Sequence, residues 1–148
     1  MKTQRADLEY GFQKELENSD KISKHLGVYM MKLPQYHTMD WVECIPSEGE
    51  PFYAEQKARN ISFEYINNCY GGTVLIGKNK IDFIKASGEG ILYFDLRGVL
   101  YYIQYDEPLF NTFETKEFIR GGRSDYVDKE HEVVYIPTKY LTRVEAGC

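Results

Sequence analysis

At 148 residues the chain is long enough to bury about two thirds of its unfolded surface around one core, so folding requires neither a disulfide framework nor a structural metal. A hydrophobic fraction of 43%, with 13 Tyr and 8 Phe, excludes a disordered chain. The net charge of −5 excludes a uniformly basic coat for nonspecific nucleic-acid binding but is compatible with a local basic groove.

Residues 6–26, "ADLEYGFQKELENSDKISKHL", space Leu8, Phe12, Leu16, Ile22 and Leu26 as an amphipathic helix stopped by Gly27. At about 100° per residue, Glu15 falls on the apolar side between Phe12 and Ile22, whereas Glu17 points to solvent. A carboxylate at that place is out of pattern, and its ordinary explanation is a stripe-edge residue that snorkels or pairs with a lysine. "GVYMMKLP" (27–34), "HTMDWVECI" (37–45) and "FYAEQKAR" (52–59) then read as three strands of an antiparallel meander, the last two joined through the turn-rich "PSEGEP".

"ISFEYINNCYGG" (61–72) fits a short helix or an irregular loop, "TVLIG" (73–77) a compact strand, and "NKIDFIKAS" (79–87) a helix with Ile81, Phe83 and Ile84 inward. "GILYFDLRGVLYYIQYD" (90–106) is a hairpin turned at "LRG". The polar, Gly-containing segment 111–130 reads as a mobile excursion, and "HEVVYIPTKYLTRV" (131–144) as a last strand stopped by Pro137 and followed by a short helix.

Chemistry concentrates in the third strand. Side chains alternate, so Phe52, Ala54, Gln56 and Ala58 share one face and Tyr53, Glu55, Lys57 and Arg59 the other. Alternating charges also suit a half-exposed edge strand, and an E-x-K tripeptide by itself recurs by chance. Asp40 gives the pattern its weight, because pairing across "PSEGEP" brings its carboxylate toward Glu55. Two such groups held together raise a pKa unless a cation lies between them, and hard oxygen donors with open water positions suit Mg²⁺ or Mn²⁺.

The run of "GFQKE" on a helix, then "MDW", then "AEQKAR" resembles the PD-(D/E)XK nuclease superfamily, in the branch of Holliday-junction resolvases and small phage or viral nucleases. The resemblance covers residues 7–86 and implies an α/β domain with a central mixed sheet flanked by helices in an α-β-β-β-α-β core, the β-rich segment 90–148 being an extension of a single domain 1–148. It implies a metal-dependent deoxyribonuclease acting on DNA, in which Glu15, Asp40 and Glu55 hold Mg²⁺ or Mn²⁺ and Lys57 orients water or stabilises developing charge. Met39 stands where a proline is frequent in the superfamily, and the Asp40–Glu55 connection is long. Resolvases of this kind are dimers, so the resemblance implies a homodimer, and the Tyr-rich hairpin is one candidate for its interface.

Around this set, Arg59, Asn60, Lys78, Lys80, Arg120 and Arg123 are candidates for phosphate contacts, each also readable as a solvated surface group. Tyr36, Tyr65 and Tyr70 are candidates for stacking on unpaired bases, although core packing accounts for most tyrosines, and His25, His37 and His131 read as surface or hydrogen-bonding residues. Cys44, Cys69 and Cys148 form no metal or redox spacing and read as reduced thiols. No signal peptide and no run near ~20 apolar residues is present, so the expectation is a soluble cytoplasmic protein without a membrane partner. The competing expectation is a noncatalytic nucleic-acid-binding or structural module of the same fold.

Overall fold

A computed structural model describes residues 4–27, 30–33, 39–43, 53–69, 71–87, 89–117 and 132–144. Helix α1 (Gln4–Leu26) ends at Gly27, whose φ of 73° is the left-handed closure that a residue without a Cβ accepts cheaply. Strands β1 (Met30–Lys32), β2 (Trp41–Glu43) and β3 (Tyr53–Arg59) follow as the expected antiparallel meander, with Met31 opposite Val42 and Trp41 opposite Ala54. Helix α2 (Phe63–Cys69), strand β4 (Thr73–Gly77) and helix α3 (Lys78–Ser87) connect the meander to β5 (Gly90–Leu96).

β5 lies parallel to β3, Glu55 beside Leu92 and Lys57 beside Phe94. A parallel neighbour needs a crossover of a dozen or more residues, which α2, β4 and α3 supply. All seven residues of β5 are buried, as a strand covered on both faces requires. β5 turns back into β6 (Val99–Gln104) through Arg97 and Gly98, both at positive φ, the two-residue turn whose twist matches that of the flanking strands. Helix α4 (Glu107–Phe110), strands β7 (Glu114–Glu117) and β8 (Glu132–Pro137), a 3₁₀ turn at Thr138–Tyr140 and β9 (Thr142–Arg143) complete the described chain.

The strands form a mixed six-stranded sheet in the order β1-β2-β3-β5-β6-β9 and a three-stranded sheet in the order β4-β8-β7. The fold is therefore the expected α/β type with a mixed central sheet and flanking helices. Two sequence expectations are revised. The strand that completes the α-β-β-β-α-β order beside β3 is Gly90–Leu96, whereas Thr73–Gly77 pairs with β8 in the second sheet, so the central sheet reaches into the segment read as an extension. Within 111–130, Glu114–Glu117 is an exposed edge strand on β8, and 118–130 lie outside the described residues.

α1 covers one face of the central sheet, where Ile22 packs with Ala54, Ile91, Tyr93 and Leu100. The larger core lies on the other face, where α2, α3 and the second sheet bury Ile66, Ile76, Ile84 and Ile136 against Leu92, Phe94 and Leu96. A polar link crosses under α1: the Asn18 amide donates to buried Asp95 at 2.8 Å, and the other Asp95 oxygen accepts from the Gly98 backbone N–H at 2.8 Å. Asp95 thus fixes the β5–β6 turn relative to the helix, and neither of its oxygens is left unpaired.

At Gly90 a Cβ would come within 2.8 Å of two Ile84 side-chain carbons, so β5 can enter beneath α3 only without a side chain. Gly90→Ala is expected to cost roughly 1–3 kcal/mol by overpacking, read as a melting temperature lowered by several degrees. An unchanged melting temperature would mean that α3 moves freely away from the strand. No helix among the described residues is long and apolar enough to cross a membrane.

Candidate active site

The site grows out of the β2–β3 pairing. Asp40 immediately precedes β2, and its backbone N–H donates to the Ala54 carbonyl at 3.2 Å, which continues the ladder by one step and sets Asp40 opposite Glu55. One Asp40 oxygen accepts from the Gln56 backbone N–H at 2.8 Å, and the other lies 3.5 Å from the Lys32 ammonium on β1. The carboxylate is held by main chain on one side and by a cation on the other.

Glu55 is 6% exposed. One of its oxygens lies 3.4 Å from the Lys80 ammonium on α3, while the other, Oε1, is buried without a hydrogen-bond partner among the described residues. Burial, reinforced by the neighbouring negative charge of Asp40 and only partly opposed by Lys80, pushes the Glu55 carboxyl up to about 8. At neutral pH this group is largely protonated unless a further cation joins it.

Lys57 follows on the same face as Glu55, half-buried, and Arg59 lies exposed at the end of the strand. Asn60 accepts a hydrogen bond from the Arg97 guanidinium at its backbone carbonyl, which ties the end of β3 to the β5–β6 turn. Lys78 is paired with Asp82 at 3.0 Å on the surface of α3. Lys80, expected to line a phosphate groove, instead faces Glu55. Arg120 and Arg123 lie outside the described residues, as do Tyr36, Tyr70, His37 and His131. Tyr65 is exposed on α2, and His25 is engaged with the Tyr93 hydroxyl at 2.7 Å.

Glu15 belongs to α1, but its side chain lies outside the described residues. α1 packs on the Ala54 face, whereas Glu55 and its partner Lys80 lie on the α3 face, so the helix and the Glu55–Lys57 row occupy opposite sides of the sheet. Among the described residues no group of three or more His, Cys, Asp or Glu side chains is gathered for a metal. Asp40 and Glu55 nevertheless offer a pair of hard donors, because Glu55 Oε1 is desolvated beside the Asp40 carboxyl and has no other hydrogen-bond partner among the described residues.

Sequence reasoning missed three parts of the site: Lys32 as the cation beside Asp40, the Gln56 N–H as its anchor, and Lys80 as the partner of Glu55. For the N–H a signal exists in the strand register, since opposed residues of a ladder bring backbone donors to side chains at its end. The two lysines arrive from β1 and α3 by tertiary packing, which local sequence does not carry. No protein-family model, curated protein or solved structure matches the chain.

Proposed function

We propose that this chain is a Mg²⁺- or Mn²⁺-dependent nuclease that hydrolyses phosphodiester bonds in DNA. The observation that carries the reading is the Asp40–Glu55 pair, in which a buried carboxyl has, among the described residues, no partner for one oxygen beyond the second acidic group beside it. A structural ion pair would be expected to satisfy both oxygens; a ligand oxygen kept free is what a cation site requires. The resemblance implies Glu15 as a third ligand, but α1 lies on the other side of the sheet from Glu55, so the reading stands on Asp40 and Glu55 alone.

A divalent cation at this place supplies Lewis acidity to a phosphate oxygen and a more acidic bound water. Asp40, oriented by the Gln56 N–H, and Glu55 hold the cation. Lys57, one pleat further along the same face, orients the attacking water or stabilises charge that builds on the phosphate. Arg59, Asn60 and Lys78, with Arg120 and Arg123, bind flanking phosphates, while Lys80 stands against Glu55 instead of in that groove. Branched DNA as substrate and a homodimer, which the resemblance suggests, and a cytoplasmic location, which the isolated cysteines suggest, complete the reading.

The second reading, a noncatalytic module, is favoured by one observation: Lys32 and Lys80 already stand beside the two carboxylates, so the pair has cationic compensation without a metal. Labelled single-stranded, duplex and four-way-junction DNA incubated with Mg²⁺ or Mn²⁺ separates the two. The nuclease reading expects metal-dependent products that disappear in Asp40→Asn, with the preferred substrate cut fastest. Intact DNA in every wild-type lane, together with no metal-induced rise in melting temperature, would leave the module as the better account.

A further inference from the structure

The face of β3 that carries Glu55 and Lys57 does not end in bulk solvent. Beyond them it meets a cleft of about 290 Å³ between the central sheet and the second sheet, lined by Arg59, Ile61, Ile66, Leu75, Phe94 and Tyr135. Phe94 is the parallel-register partner of Lys57, so the wall of the cleft stands one strand away from that lysine. Arg59 is two residues on from Lys57, roughly 6–7 Å along a strand or about one nucleotide of extended backbone, and four on from Glu55, roughly 13 Å or about two nucleotides.

Size, polarity and position together restrict the occupant. A cleft of this volume holds one planar ring system and is too small for the face of a helix, being at the low end of small-molecule sites. Its lining is aliphatic and aromatic, which suits the face of a nucleobase, whose stacking on apolar and aromatic side chains is indifferent to sequence. The guanidinium of Arg59 belongs to the same lining and complements a phosphate attached to the base, and the Thr73 hydroxyl adds a polar group for a base edge. A nucleotide brings both a ring face and an anion to this lining, whereas an acyl chain or an apolar peptide residue matches only its apolar part.

We infer that this cleft receives one unstacked nucleobase of the DNA strand whose neighbouring phosphate lies at Lys57, the strand then running on toward Asp40 and Glu55. The inference rests on the nuclease reading and sharpens it. A base within a continuous duplex is stacked on both sides and cannot enter the cleft without being extruded, so the preferred substrate carries an unpaired nucleotide beside the scissile bond: a single strand, a flap or the centre of a junction.

The test is a binding measurement in metal-free buffer with the full chain, which separates it from cleavage. Two short single-stranded oligonucleotides are compared, one intact and one with a single abasic site, so that the phosphates are the same. The intact strand is expected to bind about tenfold more tightly, the worth of one stacked base, and a fluorescent adenine analogue at that position to lose emission on binding. Leu75→Trp, which fills the cleft from β4, is expected to bring the intact strand down to the affinity of the abasic one. Thr73→Phe serves the same purpose should the first variant fail to fold.

Equal affinities in the wild type, or a difference that persists in folded cleft-filling variants, would overturn the base site. Metal-dependent cleavage accompanied by equal affinities would remove this inference alone and leave the nuclease standing. No affinity for any strand would overturn the base site as well, and cleavage would then decide the nuclease reading by itself.

Discussion

Lys57→Ala is expected to lower the single-turnover rate of metal-dependent DNA cleavage by about 10²–10³ while leaving the protein folded. The expectation follows from β3 geometry: Lys57 shares the face of Glu55, one pleat along, and its strand is held on both sides by ladder partners, with Ala54 opposite Trp41 and Lys57 beside Phe94. A cationic group so fixed needs little reorganisation as charge builds on the phosphate, and removing one such group costs a comparable amount wherever it acts chiefly in the transition state. Lys57→Arg keeps the charge and should recover part of the rate, whereas a structural role would show as lost stability in the alanine variant with little kinetic effect. A rate within about threefold of wild type, measured on folded Lys57→Ala at saturating metal, would remove Lys57 from the chemistry.

Much of this arrangement was legible in the chain. Period-two alternation in "FYAEQKAR" assigns Glu55 and Lys57 to one face and Ala54 and Gln56 to the other, which is how β3 lies between the α1 and α3 sides of the sheet. The "LRG" turn is local chemistry, with Gly98 able to take positive φ and Asp95 placed to accept from its N–H. What was not legible depended on choosing among partners. "TVLIG" is an apolar run that satisfies any buried strand position, and only the docking of β8 sends it to the second sheet. "ETKE" is exposed throughout and has no apolar period, so β7 exists because β8 offers it an edge.

The buried polar residues were the hardest to read. Asn18, Gln56 and Asp95 are all nearly inaccessible, yet each sits where a polar residue is ordinarily solvated. Asn18 and Asp95 become intelligible only as a pair 77 residues apart, and the same holds for Lys80 and Glu55. The Gln56 side-chain amide is buried on the sheet face opposite Glu55, and among the described residues neither its nitrogen nor its oxygen is paired. Its main chain explains its place better than its side chain, because its N–H anchors Asp40.

The raised pKa of Glu55 predicts that the metal-free protein loses stability as pH rises from about 5 to 8. The sign follows from proton counting. With the carboxyl at about 8 in the folded chain and 4.5 as its ordinary value, the folded state holds a proton that the unfolded state has released between those two pH values, so stability falls with increasing pH. The contribution is fully present below the unfolded value and is gone above the folded one; at 1.36 kcal/mol per unit its upper limit is roughly 5 kcal/mol. Glu55→Gln keeps the shape without the titration and should flatten the profile, making the variant more stable than wild type at pH 8. Mn²⁺ should act in the opposite direction to alkali: by replacing the proton on Glu55 it raises the wild-type melting temperature most at pH 8 and least at pH 5, and Glu55→Gln abolishes that dependence. Thermal melts of both proteins across this range, with and without Mn²⁺, check the prediction. A pH profile unchanged by Glu55→Gln would show that the carboxyl titrates in its ordinary range, and a Mn²⁺ effect of equal size in both proteins would move the cation away from Asp40 and Glu55 altogether.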